Sequence, residues 1–202
     1  MTRTANAFSD YVLHPRYGRG PRITGMTVQP GTYSEVRLGW WASPEDRIPE
    51  TAIEARPSQQ IKATIPVTHY VDLKRRCRDC SRPFIFFAEE QQYWYETLHF
   101  YVGADCVRCT ECRKEQRRVN GLRDRYVALT EAGPVLSDDE NLELAALAQE
   151  MIELGQFGPR TIQVVRRHLN AIPVESKVRR QAIFRDVDDR SKRTLANSSS
   201  SE

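Results

Sequence analysis

No stretch of the 202 residues stays apolar for anything near the ~18 positions that a bilayer-spanning helix needs, so no membrane-spanning helix is expected. The first residues hold no apolar block either, so no secretory leader is expected and the cytoplasm is the expected compartment. Histidine is scarce. His14, His69, His99 and His168 are the whole supply, and none falls in a zinc-protease helix motif or beside a cysteine at the spacing of a nucleophilic dyad. There is no phosphate-cradling glycine loop, no dinucleotide fingerprint and no internal repeat. An enzyme is therefore not the expected reading. Charge of one sign is also modest, at net +3 with a pI near 8.6, which permits an anionic partner without demanding one.

Cysteine is the exception to this sparseness. All five lie between Cys77 and Cys112. An odd count without a leader argues against a disulfide framework, and clustered Cys-x-x-Cys pairs in a reducing compartment read as metal ligands. Two residues between paired cysteines let a tight turn aim both sulfurs at one ion. Two such pairs complete the tetrahedral shell of Zn²⁺ and leave no open position for a substrate or a catalytic water. Neither pair lies in a βαβ pattern, which disfavours a redox role. The tighter three-cysteine run followed by proline that holds iron–sulfur clusters is missing. The first pair is Cys77 and Cys80. The second is either Cys106 and Cys109 or Cys109 and Cys112. The latter is preferred, because Cys112 precedes a helical stretch whose N-terminal amides favour a thiolate. Cys106 instead follows Asp105, whose charge opposes one, and reads as a buried free thiol.

The pattern around these cysteines indicates an α+β protein. Ile61, Ala63, Ile65 and Val67 alternate with polar residues and predict a strand ended near Pro66. Pro83 to Phe87 reads as a short buried strand. Ala88 to Leu98 reads as a helix with Phe87, Gln91, Trp94 and Leu98 on one face. A second helix follows Cys112, with Val119, Leu122, Tyr126 and Leu129 as its apolar face, and ends at Gly133-Pro134. Ser137 and Glu140 form a capping box ahead of a third helix carrying Leu144, Leu147, Met151 and Leu154, stopped by Gly155. Pro159 opens a fourth, lined by Ile162, Val165, Leu169 and Ile172. The short link between these two predicts an antiparallel helical hairpin. The expected organisation is an irregular N-terminal β region at 1–64, a zinc-ribbon or treble-clef core at 65–132, a helical hairpin at 133–188 and a disordered tail at 189–202.

The run from Cys77 to Cys80, Pro83-Phe84-Ile85-Phe86-Phe87, then Glu90 to Tyr95, then Cys109 to Cys112 followed by Arg113 and Lys114, resembles the probable zinc-ribbon or treble-clef-type domain of bacterial and plastid proteins. The resemblance spans roughly residues 70–118. It implies zinc ligation by Cys77, Cys80, Cys109 and Cys112. It says little about activity, since that family has none settled. The sequence departs from the family pattern where a proline usually precedes the second knuckle; Asp105 and Cys106 stand there instead.

Two partner classes remain. A zinc-stabilised module that binds another protein is the first expectation. A nucleic-acid-binding protein is the alternative, with Arg113, Lys114, Arg117 and Arg118 as the phosphate contacts. The dense aromatics between Phe84 and Tyr101 fit a core better than a base-stacking platform. Arg16, Arg19 and Arg22 read as a solvated loop. The polar face carrying Arg160, Gln163, Arg166, Arg167 and His168 reads as a solvated helix side.

Overall fold

Proline spacing sets the local structure of the N-terminal region. Pro44 and Pro57 each begin a single 3₁₀ turn, Pro44–Asp46 and Pro57–Gln59, and no longer helix forms there among the described residues. The computed structural model describes residues 7–28, 43–61, 65–133 and 135–199. It divides into two compact units, Met1–Lys114 and Glu115–Glu202.

Among the described residues, two antiparallel strand pairs build the first unit. Strand β1 (Ile53–Glu54) pairs with β2 (His69–Tyr70), and β3 (Leu73–Arg76) pairs with β4 (Pro83–Phe86) in the register Leu73 opposite Phe86. The strand expected over 61–67 falls partly on residues 62–64, which lie outside the described ones. Pairing in the described part starts only at His69. A side chain takes the ladder bonds at Val67. The buried Gln60 amide donates from Nε2 to the Val67 carbonyl at 2.7 Å and accepts from the Val67 amide at 2.9 Å.

Phe84, Ile85, Phe86 and Phe87 are all buried, so both faces of the β3–β4 hairpin are covered. Phe84 and Phe86 join Leu73, Tyr70 and Tyr95 in the main cluster. Ile85 and Phe87 meet Ile48 and the rings of Phe8, Tyr11 and Tyr17 from the N-terminal loop. Helix α1 (Ala88–Gln92) then starts against a buried carboxylate. Asp72 accepts the Ala88 amide at 2.7 Å and the Arg22 amide at 2.8 Å, which caps a helix whose own N-cap, Phe87, has no acceptor. Burial pushes the Asp72 carboxyl up to about 6, with the amide donors opposing that rise.

The expected face of Phe87, Gln91, Trp94 and Leu98 holds for the first three, with Phe87 and Gln91 buried and Trp94 packed on the core, and is corrected at Leu98. The chain leaves α1 in a π turn over Tyr93–Thr97, closed by the Leu98 amide on the Tyr93 carbonyl. The wider turn shifts the phase. Tyr95 and Glu96 become the buried residues, and Leu98 is 42% exposed.

Helix α2 (Thr110–Glu131) follows, and the boundary between the units falls within it. In the second unit its Leu129 packs on Leu144 and Leu147, with Leu122 and Tyr126 alongside, as the three- and four-residue spacings require. Helix α3 (Asp138–Glu153) opens with the expected capping box of Ser137 and Glu140. Helix α4 (Ile162–Ala171) follows a 3₁₀ turn begun by Pro159. Asn141, near the start of α3, hydrogen-bonds His168, near the end of α4, so the two helices run antiparallel as predicted.

The tail differs from expectation. Helix α5 (Ala182–Ser199) continues through residues 189–199 of the tail expected to be disordered, and residues 200–202 of that tail lie outside the described ones. Phe184, Val187, Ser191 and Leu195 recur at helical spacing. The three apolar ones join the α3–α4 cluster, and Ser191 is fully buried. The Gln149 amide donates to Thr194 Oγ1 at 3.0 Å, and Arg190 pairs with Glu153. A polar composition hid the amphipathic period.

Candidate metal centre

The β3–β4 hairpin turns through Cys77 and Cys80. Its turn is tight because the Ser81 amide donates back to the Cys77 carbonyl at 2.9 Å and Ser81 takes a left-handed backbone (φ 59°). The Cys77 amide closes the hairpin on the Arg82 carbonyl at 2.9 Å. The second pair stands at the other end of the unit's chain. Cys109 immediately precedes α2 and Cys112 is its third residue, and the Arg113 amide donates to the Cys109 carbonyl. The Arg78 amide donates to the Val107 carbonyl at 2.9 Å, tying the two segments together.

These elements bring the sulfurs of Cys77, Cys80, Cys109 and Cys112 within 4.8 Å of one another, and Cys80 Sγ lies 3.8 Å from Cys109 Sγ. A tetrahedron with metal–sulfur bonds of ~2.3 Å has sulfur edges of ~3.8 Å, so the cluster has the dimensions of a four-thiolate metal shell. None of the four is in a disulfide. Burial alone would raise the Cys77 thiol, but donors from Cys80, Cys109 and Asp79 bring it down to about 6. Cys112 is raised, by burial and by sharing the cluster with Cys109, Cys77 and Cys80. One thiolate thus opposes ionisation of the next, a conflict that a bound cation relieves.

Cys106 is outside this group. It is buried, and its thiol donates to the Arg108 carbonyl at 3.3 Å. Its pKa is pushed up to about 12, chiefly by burial, and the charge of Asp105 acts in the same direction. Asp105 has its own work there. It accepts the Cys106 amide at 2.8 Å and Arg75 Nε at 3.0 Å.

The basic residues around the knuckles are mostly tied to carboxylates. Arg108 pairs with Asp79 at 2.6 Å, Arg82 with Glu111 at 2.6 Å, and Arg75 with both Asp46 and Asp105. Of the four candidate phosphate contacts, Arg113 turns inward. It pairs with the buried Glu90 at 2.7 Å and lies over the Trp94 ring. Arg118 pairs with Glu115 and Glu150. Lys114 and Arg117 make no ion pair among the described residues.

Sequence reasoning missed the group that receives Arg113. His14 Nδ1 accepts the Arg16 and Tyr17 amides, which leaves the ring proton on Nε2, 3.6 Å from Glu90. His14 is 76 residues from Glu90 in the chain, and no local pattern links them. The only signal was Glu90 itself, a charged residue at a position the helix must bury.

No curated protein and no solved structure matches the chain. A family model does: residues 71–121, the hairpin, the π turn and the start of α2 with all four clustered sulfurs, match the family described as a probable treble clef domain.

Proposed function

We propose that Cys77, Cys80, Cys109 and Cys112 hold one structural Zn²⁺ and that the first unit is a zinc-stabilised module for binding another protein. The sulfur cluster carries the metal reading. All four positions of a tetrahedral ion are taken by thiolates, so the ion has no site for substrate or water, and its role is to join the hairpin to the start of α2. This junction matters because the unit's strands are two to four residues long and its core is small.

The protein-binding part rests on what the surface offers. Tyr93, Leu98, Phe100, Tyr101 and Val107 are each at least 42% exposed along one stretch of the zinc unit. Most arginines nearby are already paired with carboxylates, which weakens a phosphate-binding surface. The nucleic-acid reading keeps one favourable observation, that Lys114 and Arg117 make no ion pair among the described residues. The test is a photo-crosslinker placed at position 101 in cells that make the protein. A defined protein adduct, lost when Tyr93 and Phe100 become serine, supports the module. An adduct made with nucleic acid, or none at all, overturns it.

A further inference from the structure

The four sulfur ligands do not stand equally in solvent. Cys80 is exposed, Cys112 is half-buried, and Cys77 and Cys109 are buried. Cys77 and Cys109 belong to the main apolar cluster of the unit, and Cys112 packs against it. Cys80 stands in the β3–β4 turn, just before the left-handed Ser81. Cys77 Sγ also takes the amides of Cys80, Cys109 and Asp79, which draw on the electron pairs that an oxidant needs. A reagent arriving from solvent therefore meets Cys80 first.

A second sulfur is in reach of it on the other knuckle. Cys80 Sγ lies 3.8 Å from Cys109 Sγ. The Arg78 amide on the Val107 carbonyl holds the hairpin turn to the segment that leads to Cys109. From that separation the two sulfurs need to close only ~1.8 Å to reach a disulfide length of ~2.05 Å.

We propose that Cys80 is a site of modification by hydroperoxides, and that Cys109 resolves the product into a Cys80–Cys109 disulfide with release of the metal. The proposal rests on the zinc reading above. The Cys80 thiolate attacks one oxygen of hydrogen peroxide, the O–O bond breaks and hydroxide leaves. The sulfur becomes a sulfenic acid and has given two electrons to the peroxide. The Cys109 thiolate then attacks that sulfur, the S–O bond breaks and a second hydroxide leaves. Two thiolates and one peroxide thus yield one disulfide and two hydroxides, which the buffer protonates to water. Cys77 and Cys112 remain, too few to fill a shell of four, so the ion is lost. The new bond keeps the hairpin joined to the start of α2.

The test uses the full-length, zinc-loaded protein and hydrogen peroxide added in small steps. Zinc release is read with a chromophoric chelator, sulfenic acid by dimedone trapping, and disulfides by peptide mapping after alkylation. One zinc released per peroxide consumed is expected, with dimedone on Cys80 and a Cys80–Cys109 bond that dithiothreitol and added zinc reverse. Cys106→Ser should behave as the unaltered protein does, because that thiol lies outside the cluster and donates to the Arg108 carbonyl. Dimedone first on another cysteine, a Cys77–Cys80 bond, release that needs Cys106, or zinc retained through excess peroxide would each overturn the proposal and leave the zinc reading standing. Protein that purifies without zinc would sink the zinc reading, and this proposal with it.

Discussion

Replacing Cys112 by serine and Cys106 by serine should have opposite consequences, although the two residues are six apart in sequence and equally cysteine. Structural zinc on a four-ligand peptide site supplies ~10–16 kcal/mol of apparent binding free energy, so one ligand of four accounts for ~2.5–4 kcal/mol. Cys112 Sγ lies within 4.8 Å of the other three sulfurs, and its loss leaves three thiolates and an open position. Zinc affinity should then fall by roughly two to three orders of magnitude. Cys106 lies outside the cluster, and its thiol only donates to the Arg108 carbonyl, a bond that a hydroxyl can also make. Its replacement should cost about 1 kcal/mol of packing and leave the metal in place. The assay is zinc content on purification, followed by competition against a chromophoric chelator and the thermal transition of each variant. Zinc lost from Cys106→Ser and retained in Cys112→Ser would refute the assignment of the second knuckle. No metal in the unaltered protein, with a transition indifferent to chelator, would refute the site itself.

Three further outcomes follow from other contacts. Glu90→Gln removes the carboxylate that pairs with the largely buried Arg113 and faces His14; the guanidinium left behind should cost ~3 kcal/mol in urea unfolding with zinc present, and a change under 1 kcal/mol would mean the pair is solvated. Ser137→Ala removes the hydroxyl that accepts the Glu140 amide and should destabilise the second unit by ~1 kcal/mol. Ser137 also holds the Glu140 carboxyl below its ordinary value, chiefly through its backbone amide. In the unaltered protein that contribution is present above the ordinary carboxylate range and is lost as pH falls through the lowered one; a flat acid limb of stability in the unaltered protein would contradict the cap. If nucleic acid binds at all, changing Lys114 and Arg117 to glutamine should reduce the salt slope by about two phosphates' worth, or ~1.4–1.8, whereas Arg113→Gln should act through folding; an equal effect from Arg113 with the fold intact would show that it leaves Glu90.

Much of this protein was legible as a one-dimensional pattern. The two-residue spacers limited the converging sulfurs to Cys77 and Cys80 with one of two overlapping second pairs, and the helix that follows Cys112 favoured Cys109 with Cys112, the pair that clusters with them. The capping box at Ser137 and Glu140, the apolar faces of α2 and α4 and the Leu144, Leu147 and Met151 side of α3 were legible because their partners lie within one or two helical turns, whereas the Leu142, Ala145 and Ala148 side of α3 that meets α4 and α5 was not. Tertiary structure alone decided the rest. The phase of the helix after Phe87 was set by a π turn that swaps Leu98 for Tyr95 in the core. The helix past residue 189 exists because Val187 and Leu195 find a surface on α3 and α4, and composition carries no record of that surface. The fate of the basic residues depended on carboxylates tens of residues away, Asp79 for Arg108 and Glu90 for Arg113. Charge reaches across space without leaving a period in the sequence, whereas ligand spacing and helical amphipathicity are imposed by the backbone and can be read along it.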